Sequence, residues 1–179
     1  QAREKLSRFR PLAIPFSSFR PEPVTLPLAP LHWMISGRDG SLVLESAGDG
    51  VHLYENPFGV LTNNPPFPYY RYHLGNYRNL TPEFPENRFA ADPSQPALGQ
   101  GLGAVGLPGD FSPASRFVKA AFLRKNARAE KNEMSAVSQM FHMLEAVAMV
   151  RGAVITGEGK YDITTYSCCI SADRGIYYY

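Results

Sequence analysis

The sequence predicts an α+β fold in which helices are bracketed by antiparallel strands. Short alternating strands joined by tight turns occupy residues 31–62, amphipathic helices occupy 113–150, and strand-forming segments return after residue 161. Consecutive short strands linked by tight turns pair as an antiparallel meander. Because the apolar face of such a sheet has to be covered, the element order indicates antiparallel sheets packed against helices.

The strands of the meander are defined by their turns. Leu31, Trp33 and Ile35 alternate on one side of the first strand, and Gly37–Gly40 is the hairpin turn that follows it. The remaining elements are a strand at 41–45, a turn at 49–50, a strand at 51–54, a turn at 56–57 and a fourth strand at 60–62.

The helices follow from apolar residues spaced three and four apart. The predicted helical segments are 1–10 (the tail of a helix), 67–80, the helix that begins near Pro113, and 133–150, which Arg151 and Gly152 end. The prolines of residues 11–30 predict an extended connector, and 82–96 is a proline-rich loop. The last elements are a strand at 161–171, a turn at 172–175 and a strand from 176 onward.

Composition bounds the class of protein. A chain of 179 residues, 44% hydrophobic and 19% charged, fits one domain with its own core, so we expect residues 1–179 to form a single domain. A net charge of +2 with scattered basic residues gives no reason to expect nucleic acid as a partner, and no apolar run is long enough to span a membrane.

The two cysteines, Cys168 and Cys169, are adjacent and suit neither a disulfide framework nor a metal cluster. We therefore expect no metal, no cofactor and a cytoplasmic, reducing location. His142 lies off the apolar stripe of its helix, so we expect it to face solvent or to cover a neighbouring element rather than to act as a base.

The loop at 99–109 contains a misleading motif. Gly101, Gly103 and Gly106 match the dinucleotide pattern G-x-G-x-x-G, which has meaning only between a strand and a helix. The proline-containing segment 92–97 before them cannot be a buried strand, and Pro108 separates them from the helix. We therefore predict that these glycines make tight turns or a close approach to another element.

Two polar residues have a functional as well as a structural interpretation. Asn63, like its neighbour Asn64, ends the meander before proline, where asparagine usually serves turn chemistry but can also donate to an oxyanion. Arg116 lies in the first turn of a helix that Asp110 or Ser112 can cap. A cation is unfavourable there, so this arginine either covers the turn or serves a site.

Six segments of the chain resemble the choloylglycine hydrolase family, which includes bile salt hydrolases and penicillin V acylases. In chain order they are LHWMI at 31–35, GVLTNNP at 59–65, LGQGLGAVGLPGDFSPASRF at 98–117, FHML at 141–144, VAMVRG at 147–152 and GIYYY at 175–179. They span nearly the whole chain, and their details are closer to bile salt hydrolases.

The resemblance implies an N-terminal nucleophile hydrolase with a four-layer αββα sandwich that cleaves linear amides. In this family an N-terminal cysteine attacks the amide carbonyl, and its own α-amine is the base. The thiolate is the reactive form of cysteine, and an α-amine can accept the thiol proton near neutral pH. Asn63 aligns with an asparagine of the oxyanion hole, and Arg116 with an arginine beside the nucleophile, whereas Asn64 keeps its turn role. Cys168 and Cys169 align with interior strand positions, which implies small buried residues with inert thiols.

The resemblance also implies that the nucleophile belongs to a segment before Gln1. We therefore expect a fragment that is inactive alone and lacks the N-terminal third and the last strands of the family. The intact protein is expected to cleave glycine- or taurine-conjugated bile acids and to assemble as a homo-oligomer, since members of the family tend to be homotetramers.

The alternatives are a penicillin V acylase or another N-acyl amide hydrolase of the same family, and, from a different class, a non-catalytic truncated binding or assembly fragment. Assays of the intact protein on conjugated bile acids and on penicillin V would separate the hydrolase functions. An in-frame upstream segment that starts with Met-Cys would count against the non-catalytic fragment.

Overall fold

The computed structural model describes residues 31–89, 92, 94–97 and 99–179, together with the backbone of residues 15–16 and 24–25. The helix predicted at 1–10 and most of the proline-rich connector lie outside the described residues. Within the connector, β1 (Pro15–Phe16) pairs with β2 (Val24–Thr25) in antiparallel fashion. The chain divides into two compact units, residues 1–71 and 72–179. The single domain predicted for residues 1–179 stays a prediction.

The first unit is built on a three-stranded antiparallel meander, as the turns predict. Its strands are β3 (His32–Gly37), β4 (Gly40–Ala47) and β5 (Gly50–Glu55), in the order β3-β4-β5. Because β4 is central, three successive residues, Val43, Leu44 and Glu45, are buried on its two faces. A carboxylate in such a place needs hydrogen-bond partners, and the helix that follows provides one of them.

The fourth strand predicted at 60–62 is absent. The carbonyl of Val60, which a neighbouring strand would pair with, accepts instead from the side chain of Asn56. Asn56 is buried, and its Nδ2 donates to the carbonyl of Val60 at 3.0 Å. Its Oδ1 accepts from the backbone N–H groups of Phe58 and Gly59 at 3.1 and 3.0 Å. Residues 56–60 therefore form a compact turn closed by one amide side chain.

The helix predicted at 67–80 is shorter and changes type. It forms α1 (Phe67–His73), followed by a 3-10 helix over Leu74–Tyr77, where Gly75 and Asn76 are poor helix formers. Phe67 and Tyr70 of α1 are fully buried, and the ring of Phe67 lies 6.0 Å from that of Tyr54. Of the apolar residues whose spacing predicts this helix, Tyr70, Leu74, Tyr77 and Leu80, Tyr70 is buried and the others are partly buried. The spacing overestimates the length of the helix.

The second unit contains two longer helices and a short hairpin. Its elements are a 3-10 turn at Leu102–Ala104, α2 (Pro113–Asn126), α3 (Glu133–Glu145), β6 (Cys169–Ser171) and β7 (Ile176–Tyr178), the last two being antiparallel. Phe117 and Val118 of α2 are buried, as their spacing predicts.

Two elements of this unit are shorter than the sequence predicts. Helix α3 ends at Glu145 rather than Val150, because Val147 and Ala148 bond to carbonyls three residues back and so continue the apolar stripe in a tighter turn. The strand predicted at 161–171 is only Cys169–Ser171. Residues 161–168 instead bond irregularly to the segment after α3, as in the 3.0 Å bond from Thr164 N to the carbonyl of Met149.

Candidate active site

Asn63 and Asn64 lie in an exposed bend between the Asn56 turn and α1. The peptide bond between Asn64 and Pro65 is cis. The hydroxyl of Tyr70, one turn into α1, donates to the backbone carbonyl of Asn63 at 2.8 Å. The ring of Tyr70 is fully buried, so its hydroxyl presents a fixed donor to this bend.

A second set of contacts holds the bend from the sheet. The buried carboxylate of Glu45 accepts the backbone N–H of Phe67, the first residue of α1, at 2.9 and 3.1 Å. The same carboxylate accepts Nδ1 of His32 at 2.6 Å, and Nε2 of His32 lies 3.1 Å from Oδ1 of Asn64. The Glu45 carboxylate therefore connects the start of α1 to His32, and His32 in turn to the bend.

Sequence reasoning missed Glu45, His32 and Tyr70. His32 and Glu45 are direct cross-strand partners, equally far from the turn at which Gly37 pairs with Gly40. Counting outward from that predicted turn, and noting a carboxylate in the apolar run of 42–45, would have found the pair. No such signal exists for Tyr70, because its partner is a backbone carbonyl.

Arg116 occupies the fourth position of α2, whose N-cap is Ser112. The side chain of Ser112 accepts the backbone N–H of Ser115 at 3.3 Å, and Pro113 is the first helical residue. Nε of Arg116 donates to the carbonyl of Phe111 at 3.0 Å, which directs the guanidinium back over the loop that precedes the helix. This contact gives Arg116 a defined position at the start of α2.

Asp110 joins Ser112 and Ser115 in fixing that start. Its carboxylate accepts the backbone N–H of Ser112 at 2.9 Å and the hydroxyl of Ser115 at 2.5 Å. These hydrogen bonds from Ser112 and Ser115 lower the pKa of Asp110 to about 2. Both candidate caps predicted from the sequence are therefore used, Ser112 as the N-cap and Asp110 as the acceptor that holds it.

Asp110 should make stability depend on pH in a defined direction. Because its folded pKa of about 2 lies below the ordinary value of 3.8, its contribution is present above pH ~4 and is lost as the pH falls toward ~2. In an NMR titration of the whole protein, we expect Asp110 to titrate near pH 2 and to move toward its ordinary value in Ser115→Ala. Titration of Asp110 at its ordinary value in the unsubstituted protein would contradict the geometry.

The glycine-rich loop makes the close approach that the sequence predicts. Gly101 and Gly106 have φ values of 80° and 94°, and Gly103 lies against the chain at Thr81–Glu83. The backbone N–H of Thr81 donates to the carbonyl of Gly103 at 3.0 Å. The loop therefore packs against backbone rather than forming the strand-to-helix turn of a dinucleotide site.

In the part of the chain that the structure describes, the two cysteines and His142 show no sign of a catalytic or metal-binding role. Cys168 and Cys169 are partly rather than fully buried, which corrects the expectation of buried residues. Burial raises the pKa of the Cys169 thiol. The pKa of Tyr177 is raised to about 12, mainly by a hydrogen bond with Cys168 and to a smaller extent by burial. His142 is exposed beside Glu145, as predicted. Among the described residues, no cluster of His, Cys, Asp or Glu could hold a metal ion, and no helix could cross a membrane.

Comparison with known proteins gives this geometry a family. A sequence model described as linear amide C–N hydrolases, choloylglycine hydrolase family, matches residues 2–179. The chain belongs to the choloylglycine hydrolase family. It is 45% identical over 154 residues to a bile salt hydrolase/transferase of Lactiplantibacillus plantarum, which covers 86% of this chain and 48% of the relative. It is 41% identical over 184 residues to a bile salt hydrolase/transferase of Clostridium perfringens, which covers 100% of this chain and 53% of the relative.

Solved structures agree with the family. A crystal structure of a mutant conjugated bile acid hydrolase from Clostridium perfringens matches with a TM-score of 0.80 at 40% identity, over 98% of this chain and 52% of that one. Penicillin V acylase from Agrobacterium tumefaciens matches with a TM-score of 0.61 at 20% identity, over 82% of this chain and 40% of that one, which shows a shared fold.

The predicted family and α+β fold class, part of an N-terminal nucleophile hydrolase fold, are therefore confirmed. The choloylglycine hydrolase chain described here spans about half the length of the curated relatives it matches. Asn63 belongs to the first compact unit and Arg116 to the second, and their meeting in one site stays a prediction.

Proposed function

We propose that the whole protein carrying this chain hydrolyses the amide bond of glycine- or taurine-conjugated bile acids. The observation that carries the proposal is identity of 45% and 41% to two relatives named bile salt hydrolase/transferase, over 86% and 100% of this chain. The structural likeness to conjugated bile acid hydrolase, at a TM-score of 0.80, supports the same substrate class.

In this proposal the nucleophile is an N-terminal cysteine of the whole protein, outside the 179 residues. Cys169 is poorly suited to the role because burial raises the pKa of its thiol, and the thiolate is the reactive form. The cysteine sulfur attacks the amide carbonyl, the glycine or taurine amine leaves with a proton, and water then releases the bile acid from the thioester.

Asn63 and Arg116 are the residues of this chain that we assign to the site. The side-chain N–H of Asn63 would donate to the oxyanion that develops when the carbonyl is attacked. The guanidinium of Arg116 would favour the thiolate over the thiol, and its permanent charge suits that task. The fixed backbone of Asn63 and the anchored Nε of Arg116 support these roles, because both groups need a defined position.

The test is an assay of the purified whole protein on glycocholate, taurocholate and penicillin V, with Arg116→Ala beside the unsubstituted protein. We expect hydrolysis of the two bile salts and a loss of at least about tenfold in kcat in Arg116→Ala, because a charge-assisted hydrogen bond is worth about 1.5–3 kcal/mol. Lys119→Ala, three residues along the same helix, is the control and should retain activity.

Other outcomes decide between the remaining functions. Hydrolysis of penicillin V alone would replace bile salts by the acylase function of the same family. No hydrolysis of any amide by a folded whole protein would favour a non-catalytic binding or assembly role. Assembly as a homo-oligomer and a cytoplasmic location stay predictions, which sedimentation and cell fractionation test.

A further inference from the structure

We propose that Tyr70, His32 and Glu45 are positioning residues that hold the Asn63–Asn64 bend in the geometry needed for oxyanion stabilisation. This inference rests on the proposed function, because it assigns these residues an effect on turnover that passes through Asn63. The bend is exposed and belongs to neither a helix nor a strand.

The need for such residues follows from the chemistry assigned to Asn63. An oxyanion donor acts when it lies about 2.7–3.1 Å from the developing charge, and a displacement of about 1 Å can cost ~10²-fold in rate. A side chain on a loop meets this tolerance only if its backbone is held by rigid elements. Here one such element is α1 and another is the meander formed by β3, β4 and β5.

Tyr70 supplies the contact from the helix. Its ring is fully buried and packs edge-on against Tyr69, with ring centroids 5.4 Å apart. Its hydroxyl therefore has little freedom, and it donates directly to the carbonyl of Asn63 at 2.8 Å. This bond constrains the peptide plane that carries Asn63, and with it the direction of the Asn63 side chain.

His32 and Glu45 supply the contact from the sheet. Glu45 is the cross-strand partner of His32 and is buried, so its carboxylate is fixed by the strand that carries it. Because it accepts both Phe67 N–H and His32 Nδ1, it sets the start of α1 and the orientation of the imidazole together. The other imidazole nitrogen contacts the Asn64 amide, immediately after Asn63.

Tyr70→Phe is the main test, because it removes one hydroxyl and keeps the buried ring. In the whole protein we expect kcat for glycocholate to fall by about tenfold or more with KM nearly unchanged, as for a contact that matters in the transition state. Tyr72→Phe is the matched control, since Tyr72 lies on the same helix and is 84% exposed. It should retain kcat.

The effect should depend on Asn63. In an Asn63→Ala background, Tyr70→Phe should cause no further loss of kcat, because the group that it positions is gone. Glu45→Gln, which keeps the volume and replaces one acceptor oxygen by a donor, should follow the same pattern. Equal losses in both backgrounds, or unchanged kcat in Tyr70→Phe, would overturn the positioning role.

An activity-independent measurement completes the test. Hydrogen exchange of residues 58–64 should quicken in Tyr70→Phe and not in Tyr72→Phe, and unchanged exchange would also overturn the proposal. If Asn63→Ala lowers kcat and Tyr70→Phe does not, this inference fails and the proposed function stands. If Asn63→Ala leaves kcat unchanged, the role proposed for Asn63 fails and the positioning role fails with it.

Discussion

Asn63→Ala is expected to lower kcat for conjugated bile acids by about 10²–10³-fold in the whole protein, the usual cost of removing one oxyanion donor. The substitution removes the side-chain amide and keeps the backbone carbonyl that accepts from Tyr70 at 2.8 Å. KM should change little, because the interaction strengthens only as negative charge develops on the carbonyl oxygen. Steady-state kinetics on glycocholate and taurocholate measure both constants.

Asn64→Ala is the comparison that makes this prediction specific. Asn64 is the adjacent residue, is also exposed, and contacts His32 through its side-chain amide. We expect its replacement to lower kcat less than Asn63→Ala does, because it holds the bend and is not assigned contact with substrate. An equal or larger loss at Asn64 would move the oxyanion assignment to Asn64, or remove it from this bend altogether.

The meander and the buried faces of the helices could be predicted from the sequence because their causes are local. The turns at 37–40 and 48–50 contain glycines, and the confirmed pairing of β3, β4 and β5 follows from them. Likewise, Pro113 sets the start of α2, and the spacing of Phe117 and Val118 marks its buried face. In each case the deciding residues lie within one turn of the structure that they specify.

The two segments wrongly predicted as strand, 60–62 and 161–168, are places where a side chain forms a hydrogen bond with the backbone. Val60–Thr62 has the composition of a strand, but the side-chain amide of Asn56 donates a hydrogen bond to the carbonyl of Val60. Residues 161–168 have strand propensity, but Thr164 bonds to Met149 through its hydroxyl as well as its backbone. Propensity gives no account of such partners, because each one is fixed only when the chain has folded.

The residues of the candidate site also differ in how far the sequence could predict them. Asn63 and Arg116 were assigned from the family resemblance, because an asparagine before proline usually serves turn chemistry and an arginine in a first turn can simply cover that turn. The pair His32–Glu45 was within reach of sequence reasoning, because strand register follows from the turn. Tyr70 has no sequence signal beyond its place in the helical segment 67–80, and the structure adds the hydroxyl contact that connects this buried residue to the bend.

The glycine loop carries the second large expected effect, which is on stability. A Cβ at Gly103 would lie 2.2 Å from the carbonyl oxygen of Glu83 and 2.6 Å from that of Thr81. These are backbone atoms, so Gly103→Ala has to displace one chain segment from the other, at the place where the N–H of Thr81 donates to the carbonyl of Gly103. We expect it to lower the free energy of unfolding by about 1–3 kcal/mol or more, as overpacking does in other proteins.

Gly109→Ala is the matched control in the same glycine-rich region. No atom lies within 4 Å of a Cβ at Gly109, and its φ is outside the left-handed range. Its replacement should change stability by no more than about 0.4–1 kcal/mol, and in the stabilising direction, because alanine reduces the entropy of the unfolded chain. Chemical denaturation of the whole-protein variants measures the difference. Equal stability of the two variants would mean that the loop does not pack against residues 81–83, and would remove the structural reason for glycine at position 103.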